Sequence, residues 1–496
     1  GDTTYSWTND SSEIGLSTSG LGDLPSFTAI NTGLEPIVAT VEVTPLFTGN
    51  VNCNGLSETF TITVNPTAQV NDSVDQIICN EDEVLIEFSS QNTLGNTSYS
   101  WDSDINIGGG LSGADLVNFT AINSGTLPVV ATLTVTPTFE NGGITCDGDS
   151  QAFTITVNPT AQLDSIDDQV LCNLDTTIAI AFSTIGTATA TTYSWTNDSS
   201  SIGLASAGTG DINSFTSINS GSSTVVATIE VTPTYTNEGV SCDGPTEIFT
   251  ITVNPTAQVN NPVDKLICNG ESTSVEFTTD STLGITTYSW TNDTDSIGLL
   301  ASGTGNISSF NGINTGTIPV VATIIVTPIF TNAEVSCEGP SQTFTITVTP
   351  SGQVDSIDNQ ILCNTEETTL ISFTTENTDG TTTYSWINDS PSIGLVSSGT
   401  GNIPSFISIN TGDSSIISTV VVTPTFEGCD GPTETFTFTV NPTAEMNDPE
   451  DMIVCDEEVT SLVEFTTNNS GGDTTYSWTN DSSEIGLSTS GLGDLP

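Results

Sequence analysis

Residues 153–159 read FTITVNP, a stretch in which phenylalanine, isoleucine and valine alternate with threonine. Alternation with a period of two is typical of a β-strand with one buried face. The same heptapeptide, with at most one substitution, recurs at residues 60–66, 249–255, 344–350 and 436–442. Other short alternating segments precede it, and no helical periodicity of useful length is present. The sequence therefore predicts an all-β protein built from repeats.

The tripeptide Tyr-Ser-Trp gives the length of the repeat. It contains every tryptophan of the chain, at successive intervals of 94, 94, 95, 96 and 92 residues: Trp7, Trp101, Trp195, Trp290, Trp386 and Trp478. A unit of this length with one tryptophan on an early strand is typical of an immunoglobulin-like β-sandwich, so we expect these tryptophans in the cores. The predicted domains, numbered first to sixth repeat, are 1–66 (C-terminal part of a repeat), 67–159, 160–255, 256–350, 351–442 and 443–496 (N-terminal part of a repeat).

Residues 472–496 are identical to residues 1–25. The sequence thus begins and ends at the same phase of the repeat, and we expect it to be a window on a longer array. Connecting segments such as VNPTAQV at residues 64–70 are short. Neighbouring sandwiches are therefore expected to be closely coupled in a tandem array that forms an extended rod.

The charge of the chain excludes several classes of function. Its 496 residues include 60 acidic residues, one basic residue (Lys265) and no histidine, which gives a formal net charge of −59. Binding to nucleic acid or to anionic membranes needs many basic side chains. Catalysis by histidine and metal binding by histidine are impossible. We expect a protein that is not an enzyme, requires no cofactor and binds no nucleic acid.

The location of the protein is predicted from its cysteines and its hydropathy. Ten cysteines in a chain rich in Thr, Ser and Asn indicate an oxidising, extracellular compartment. No run of 18 or more apolar residues is present, so no membrane insertion is expected.

The cysteines are predicted to form disulfides, with two pairings left open. Pairing within a repeat is the usual expectation and would give Cys79–Cys146, Cys172–Cys242, Cys268–Cys337 and Cys363–Cys429. In a sandwich, however, the turn after the first strand and the last hairpin lie at opposite poles, and bonded cysteines need Cα atoms about 4.4–6.8 Å apart. That geometry favours bridges from one repeat to the next, namely Cys79–Cys242, Cys172–Cys337 and Cys268–Cys429. Cys53 and Cys455 are further disulfide candidates.

An aspartate stands three residues after every tryptophan: Asp10, Asp104, Asp198, Asp293, Asp389 and Asp481. Carboxylates are Ca²⁺ ligands, which makes these residues candidates for a calcium site. The alternative, which we favour, is an Asx-turn in which the side chain caps its own backbone.

A second acidic cluster precedes the cysteine at each junction between repeats. Its members are Asp72 and Asp75, Asp164, Asp167 and Asp168, Asp264, Asp355 and Asp358, and Asp448, Glu450 and Asp451. Calcium bridging these carboxylates would stiffen the junctions. Because the pattern varies between repeats, we favour ordinary solvated charge.

The repeat resembles a known family. Residues 4–33 (TYSWTNDSSEIGLSTSGLGDLPSFTAINTG), 36–45 (PIVATVEVTP) and 58–68 (ETFTITVNPTA) are similar to the PKD-like and immunoglobulin-like repeats of giant surface adhesins of Bacteroidota, in particular the SprB-like gliding-motility adhesins. The resemblance implies immunoglobulin-like (PKD-like) sandwiches, export by type IX secretion and a cell-surface location. It also implies partners in the gliding or secretion machinery, and the precedent of the family favours disulfides within a repeat.

Two functions are compatible with these observations. The first is the structural stalk of a cell-surface adhesin, which projects a distal adhesive region towards an extracellular surface or polysaccharide and transmits force. The second is an array whose repeats themselves bind polysaccharide or a partner surface. Carbohydrate-binding surfaces usually present exposed aromatic residues, whereas the aromatic residues here alternate in phase with core positions. We therefore favour the stalk, and the burial of the six tryptophans tests this preference.

Overall fold

The computed structural model describes residues 1–185 and 191–496. It divides the chain into two compact units, Gly1–Pro255 and Thr256–Pro496. In the described residues, regular secondary structure consists of β-strands and single-turn 3-10 helices, and none of these helices is long or apolar enough to cross a membrane. The prediction of an all-β chain is confirmed.

The first unit contains the strands of the first three repeats. They are β1 (Asp2–Asn9), β2 (Ser19–Leu21), β3 (Ile37–Thr48), β4 (Cys53–Asn54), β5 (Glu58–Val64), β6 (Gln76–Cys79), β7 (Glu83–Glu87), β8 (Asn96–Ser103), β9 (Ser112–Ala114), β10 (Leu116–Thr120), β11 (Val129–Asn141), β12 (Ile144–Asp147), β13 (Gln151–Asn158), β14 (Gln169–Cys172), β15 (Thr191–Asn197), β16 (Ala207–Thr209), β17 (Val225–Asn237), β18 (Val240–Asp243) and β19 (Glu247–Asn254). The 3-10 helices of this unit are Ser12–Ile14 and Ser200–Ile202.

The second unit contains the remaining strands. They are β20 (Lys265–Cys268), β21 (Ser272–Val275), β22 (Ile285–Asn292), β23 (Ser302–Thr304), β24 (Ile307–Asn311), β25 (Val320–Asn332), β26 (Val335–Glu338), β27 (Gln342–Thr349), β28 (Gln360–Cys363), β29 (Thr382–Asn388), β30 (Ser398–Thr400), β31 (Ile416–Phe426), β32 (Cys429–Asp430), β33 (Glu434–Asn441), β34 (Ser477–Thr479) and β35 (Ser490–Leu492). Its 3-10 helices are Asp295–Ile297, Pro391–Ile393 and Ser483–Ile485.

In the second to fifth repeats the larger layer of the sandwich is a six-stranded sheet. In the second repeat its order is β6-β13-β11-β8-β9, and β12 pairs with the end of β11. The first strand of the repeat, β6, runs parallel to the last strand, β13, and the other pairs are antiparallel. The third, fourth and fifth repeats have the same order with the equivalent strands. The first and last segments of a repeat are therefore neighbours in the sheet.

The smaller layer of the sandwich covers one face of this sheet. In the second repeat it is the antiparallel pair β7–β10, and in the fourth repeat it is β21–β24. In the third and fifth repeats it narrows to isolated bridges such as Ile180–Ile212 and Ile371–Ile403. Each complete repeat thus has two layers, as the alternating pattern predicts.

The core lies between the two layers. On β11, Ala131, Leu133 and Val135 point inward and are at most 1% exposed, while the intervening threonines are half-buried on the outer face. Trp101 on β8 packs into the same cluster. Equivalent apolar clusters fill the described parts of the first, third, fourth and fifth repeats. The alternating residues of the strands therefore form the core, although the exact domain boundaries stay a prediction.

The first glycine of the segment Gly-Thr-Gly at residues 208–210 has a packing role. Gly208 on β16 lies directly opposite Trp195 on β15. A Cβ atom at Gly208 would lie 2.2 Å from the indole ring. Glycine is therefore required where the tryptophan ring lies across the edge strand.

Candidate functional site at the junctions between repeats

Two disulfides connect neighbouring repeats. In the first unit, Cys79 at the end of β6 in the second repeat bonds to Cys242 on β18 in the third, with Cα atoms 5.5 Å apart. In the second unit, Cys268 at the end of β20 in the fourth repeat bonds to Cys429 on β32 in the fifth, with the same Cα distance. The two bridges close loops between residues 163 and 161 positions apart. Each disulfide therefore gives two neighbouring repeats a second covalent connection besides the backbone that joins them.

The positions of the cysteines in the sandwich explain this pairing. Cys79 lies opposite Asn158, at the pole of the second repeat that faces the third. Cys146 lies in the β11–β12 hairpin at the other pole, where Asn141 contacts Asn65 of the first repeat. A bridge between Cys79 and Cys146 would have to cross the length of the sandwich.

Of the two pairings left open, the one within repeats is therefore wrong, and the one between repeats is confirmed for two of its three pairs. The pairs that the structure does not form are Cys79–Cys146, Cys172–Cys242, Cys268–Cys337 and Cys363–Cys429. Cys172 and Cys337 are also disulfide-bonded. Their pairing with each other stays a prediction.

The other four disulfide candidates are free thiols: Cys53, Cys146, Cys363 and Cys455. The two described bridges join a strand cysteine to a hairpin cysteine 161 to 163 residues later. Counting back that far from Cys53 or Cys146, or forward from Cys363 or Cys455, leads outside residues 1–496. Each free thiol therefore lacks its equivalent partner within the chain.

An acidic residue fixes the turn that follows each strand cysteine. The backbone N–H of Cys79 donates a hydrogen bond to Oδ2 of Asp82 at 2.8 Å. Equivalent bonds of 2.8–3.1 Å join Cys172 to Asp175, Cys268 to Glu271, Cys363 to Glu366 and Cys455 to Glu458. A charge-assisted bond of this type orients the end of the strand and thus the sulfur that it carries.

The aspartate after each tryptophan connects two strands of the larger sheet. Oδ1 of Asp104 accepts a hydrogen bond of 2.7 Å from the backbone N–H of Thr132, and the backbone N–H of Asp104 donates to the carbonyl of Thr132. The same pair of bonds joins Asp10 to Thr40, Asp198 to Thr228, Asp293 to Thr323 and Asp389 to Thr419. Asp481 follows β34 in the sixth repeat. These carboxylates extend the ladder beyond the end of the strand.

The favoured prediction of an Asx-turn is wrong for the five aspartates whose carboxylates bond to the neighbouring strand. Except in the second repeat, where Ser103 precedes Asp104, the preceding residue is an asparagine, and it forms the turn instead. Oδ1 of Asn197 accepts a hydrogen bond of 3.0 Å from the backbone N–H of Ser199, two residues later. Its Nδ2 donates to the carbonyl of Leu204, and the side chain is buried. The equivalent turns are made by Asn9, Asn292, Asn388 and Asn480. The buried amide fixes the loop while the exposed carboxylate fixes the sheet.

These hydrogen bonds predict a pH dependence of stability. The N–H of Thr323 and the hydroxyl of Thr294 donate to Asp293 and hold the pKa of its carboxyl below the ordinary value of 3.8. Because the folded pKa is the lower one, this contribution to stability is present above pH 3.8 and is lost as the pH falls through the folded pKa. We expect the difference in melting temperature between wild type and the Asp293→Asn variant to shrink as the pH falls below about 4. Calorimetry at a series of pH values measures it, with the exposed neighbour Asp295→Asn as control; a constant difference would contradict the assignment.

In three of the five junction clusters one aspartate has the same role beside the first strand of its repeat. Oδ1 of Asp75 accepts a hydrogen bond of 2.7 Å from the N–H of Thr154, which lowers the pKa of its carboxyl. Asp168 and Asp264 bond in the same way to Thr250 and Thr345. In the fifth repeat Oδ1 of Asn359 replaces the carboxylate on Thr437. The junction therefore requires an acceptor oxygen at this position rather than a charge.

Metal binding is not apparent in this arrangement. In residues 1–185 and 191–496 no group of three or more Cys, Asp or Glu side chains is placed to hold a metal ion. Calcium binding by the aspartates after tryptophan, or by the junction clusters, stays an untested prediction.

Asparagine side chains also join repeats within the first unit. Nδ2 of Asn141 donates to Oδ1 of Asn65 at 3.0 Å, and Nδ2 of Asn65 donates to the carbonyl of Asn141 at 3.1 Å. At the next junction, Nδ2 of Asn237 donates to Oδ1 of Asn158 at 2.9 Å. The asparagine of the VNP motif therefore meets the long hairpin of the following repeat.

This contact predicts a coupling energy between repeats. We expect a double-mutant cycle of Asn65→Ala and Asn141→Ala to give a coupling of about 1 kcal/mol, the usual net value of a hydrogen bond between side chains. Urea denaturation of the four proteins measures this coupling. Strict additivity of the two substitutions would show that the contact does not stabilise the junction.

A further asparagine, which sequence reasoning missed, closes each sandwich. Asn123 is 5% exposed, and its Nδ2 donates to the carbonyls of Val157 and Leu127. Its backbone N–H donates to Oδ1 of Asn80, directly after Cys79. The equivalents are Asn31, Asn219, Asn314 and Asn410. The recurring sequence Ile-Asn-(Ser or Thr)-Gly could have identified these asparagines.

The tryptophans are core residues. Trp7, Trp101, Trp195, Trp290 and Trp386 are 3–8% exposed, and Trp478 in the sixth repeat is half-buried. Of the described aromatic side chains, those that are strongly exposed are Tyr5, Phe47 and Phe60, all in the first repeat. The second to fifth repeats therefore present no strip of aromatic side chains among their described residues.

Comparisons with known proteins give fold-level similarity only. No family model matches the chain, and no curated protein matches it. Similar solved structures include the human desmocollin-1 ectodomain, with 9% identity, a TM-score of 0.24, and coverage of 89% of this chain and 92% of that one. They also include domains EC1-4 of Drosophila N-cadherin, with 11% identity, a TM-score of 0.25, and coverage of 75% and 99%. A three-domain immunoglobulin segment of titin has 12% identity, a TM-score of 0.31, and coverage of 56% and 96%.

Proposed function

We propose that this chain is a non-enzymatic, load-bearing part of the stalk of an extracellular, cell-surface adhesin. The observation that carries the proposal is the pair of bridges between repeats, Cys79–Cys242 and Cys268–Cys429. Tension along the chain would pass through these bridges, so the backbone that they enclose would not extend. A binding domain needs no such covalent route from one repeat to the next.

Two further features support the stalk. The tryptophans of the second to fifth repeats are buried, and the described residues of these repeats offer no aromatic platform for sugars. The 60 acidic residues give an anionic surface, which keeps parallel stalks apart and soluble. Disulfides are stable outside the cytosol, which supports an extracellular location.

The finer assignment rests on the sequence resemblance to SprB-like adhesins of Bacteroidota. On that basis we propose export by type IX secretion and a role in gliding motility, with the adhesive region and the contacts to the motility machinery outside residues 1–496. The external partner would be a surface or a polysaccharide.

A cell-adhesion assay distinguishes the stalk from a polysaccharide-binding array. One set of cells displays the chain between an anchor and a known binding domain, and a second set displays the chain on the anchor without that domain. A third set displays the anchor alone. On polysaccharide surfaces under flow, we expect the fraction of retained cells to be the same for the chain without the binding domain as for the anchor alone. Cells that display the chain with the binding domain should be retained on a surface coated with the ligand of that domain. Retention on polysaccharide by the chain alone would contradict the stalk and support the binding array.

A further inference from the structure

In the second to fifth repeats, the hairpin cysteine is followed by an acidic residue and a glycine. In the third repeat this segment is Cys242-Asp243-Gly244, and its cysteine forms the bridge to Cys79. Oδ1 of Asp243 accepts a hydrogen bond of 2.7 Å from the hydroxyl of Thr234 on β17, which fixes the hairpin. The equivalent segments are residues 146–148, 337–339 and 429–431. The bridge and the hairpin explain the first two residues of the segment but not its glycine.

The glycine lies against the linker that precedes its repeat. A Cβ atom at Gly244 would lie 1.9 Å from the carbonyl oxygen of Ala161, far inside van der Waals contact. None of the four equivalent glycines has a positive φ, so the close approach of the linker, and not the backbone conformation, requires glycine. The other three have distances of 1.7–1.9 Å: Gly148 to Ala68, Gly339 to Ala257 and Gly431 to Gly352. We call this approach the linker contact.

The same linker is also bound to the preceding repeat. Nδ2 of Asn80, the residue after Cys79, donates a hydrogen bond of 3.2 Å to the hydroxyl of Thr160. Thr160 directly precedes Ala161, which makes the linker contact with Gly244. The linker therefore touches the residue after the strand cysteine and the glycine two residues after the hairpin cysteine. These are the two cysteines that form the bridge.

The junction between the fourth and fifth repeats has the same arrangement. The carbonyl of Gly352 makes the linker contact with Gly431, and the backbone N–H of Gly352 donates a hydrogen bond of 3.2 Å to the carbonyl of Cys429. Nδ2 of Asn269, the residue after the strand cysteine, donates to the hydroxyl of Ser351 at 3.5 Å. Here the linker bonds directly to the backbone of the hairpin cysteine.

We propose that the glycine of this segment directs the formation of the bridges between repeats. It allows the hairpin to pack on the linker and so places the hairpin cysteine beside the strand cysteine of the preceding repeat before the bond forms. The glycine is thus a positioning residue. The inference rests on the proposed function, because it names what directs formation of the bridges that would bear load.

A directing contact is needed because chain entropy favours another partner. Cys146 is 67 positions from Cys79 in the sequence, whereas Cys242 is 163 positions away. In an unfolded chain, loop closure alone favours the nearer cysteine by about fourfold. Folding of the second repeat places Cys146 at the other pole, but it does not by itself orient the third repeat. The linker contact of Gly244 supplies this orientation and raises the effective concentration of one thiol at the other.

The bridge forms by thiol–disulfide exchange in two steps. The thiolate of one cysteine attacks an external disulfide such as oxidised glutathione, forms a mixed disulfide and releases one glutathione thiol. The second cysteine then attacks the mixed disulfide, closes the bridge and releases the other glutathione thiol. Two electrons and two protons pass from the protein thiols to glutathione in total. The linker contact acts on the second step, in which the two cysteines must meet.

Reciprocal variants of the full chain test the proposal in a glutathione redox buffer. Conditions are chosen in which circular dichroism shows the reduced repeats to be folded. Alkylation and peptide mapping then give the effective concentration of each cysteine pair. Gly244→Ala should lower this value for Cys79 and Cys242 by about tenfold or more and leave the bridge of the second unit unchanged. Gly431→Ala should have the reverse effect, so each variant is the control for the other.

A milder variant tests the same linker if Gly244→Ala disturbs the hairpin itself. Thr160→Val removes the hydroxyl that accepts from Asn80 and keeps the shape of the side chain. It should lower the effective concentration by about fivefold, the equivalent of one ordinary hydrogen bond. In both variants the mixed disulfide with glutathione should form as fast as in the wild type, because that step does not need the second cysteine.

The outcomes separate this inference from the proposed function. A bridge that closes equally well in the wild type and in the Gly244→Ala and Thr160→Val variants would overturn the directing role of the linker contact and leave the stalk unaffected. Slower formation of the mixed disulfide, with an unchanged second step, would also overturn it. A folded wild type that forms no Cys79–Cys242 bridge in this buffer would overturn both the inference and the proposed function.

Discussion

Replacement of Trp386 by alanine is expected to lower the free energy of unfolding of the fifth repeat by about 3–5 kcal/mol. The indole is 3% exposed and packs with Ile393, Leu395 and Val422 in the core cluster. It also lies across Gly399 on the neighbouring edge strand. Truncation would leave a cavity as well as remove apolar contact area, and both changes destabilise the sandwich. Denaturant unfolding followed by fluorescence and by circular dichroism measures the loss.

Val396→Ala is the matched control for this substitution. Val396 lies beside Leu395 in the sequence but is 64% exposed, so its truncation should change stability by less than about 0.5 kcal/mol. If Trp386 were a binding platform, its removal would reduce binding with little loss of stability. A cost below about 1 kcal/mol would contradict the core assignment.

Removal of the bridge between the fourth and fifth repeats is expected to have an effect of similar size. The Cys268–Cys429 disulfide closes a loop of 161 residues. In the chain-entropy account, a bridge across so long a loop stabilises the folded state by roughly 4–5 kcal/mol, because it restricts the unfolded chain. We therefore expect the double variant Cys268→Ser and Cys429→Ser to unfold at lower denaturant concentration than the oxidised wild type.

The control for the bridge is the free thiol Cys363. Its replacement by serine leaves both described bridges intact and should change stability by less than about 0.5 kcal/mol. Under full reduction the wild type and the double variant should unfold together. A double variant as stable as the oxidised wild type would show that the bridge does not form or does not restrict the unfolded chain.

The fold could be predicted from the sequence because it depends on local patterns. Alternation in segments such as Val129–Val135 identifies strands and their buried faces, and the spacing of Trp101 and Trp195 gives the repeat. The pairing of Cys79 could not be decided in the same way. It depends on which poles of two sandwiches meet, and that is a property of packing between repeats rather than of one repeat.

The roles of polar residues were harder to predict for the same reason. Asp104 bonds to Thr132, 28 residues later in the sequence and adjacent only once β8 and β11 pair. The sequence places Asn197 and Asp198 side by side but does not show that the amide turns inward and the carboxylate towards the next strand. Such roles follow from sheet register, which the pattern of apolar residues specifies only in part.

The central claim is that the repeats form a stalk in which disulfides connect neighbouring repeats. The contour length of a single molecule under force tests this claim most directly. The chain is pulled from its ends in oxidised and in fully reduced form. Reduction should release the loops of 163 and 161 residues, each adding about 570 Å at roughly 3.5 Å per residue. The oxidised chain should therefore be shorter at full extension by about 1,100 Å or more. Equal contour lengths in the oxidised and reduced forms would contradict a stalk whose repeats are connected by disulfides.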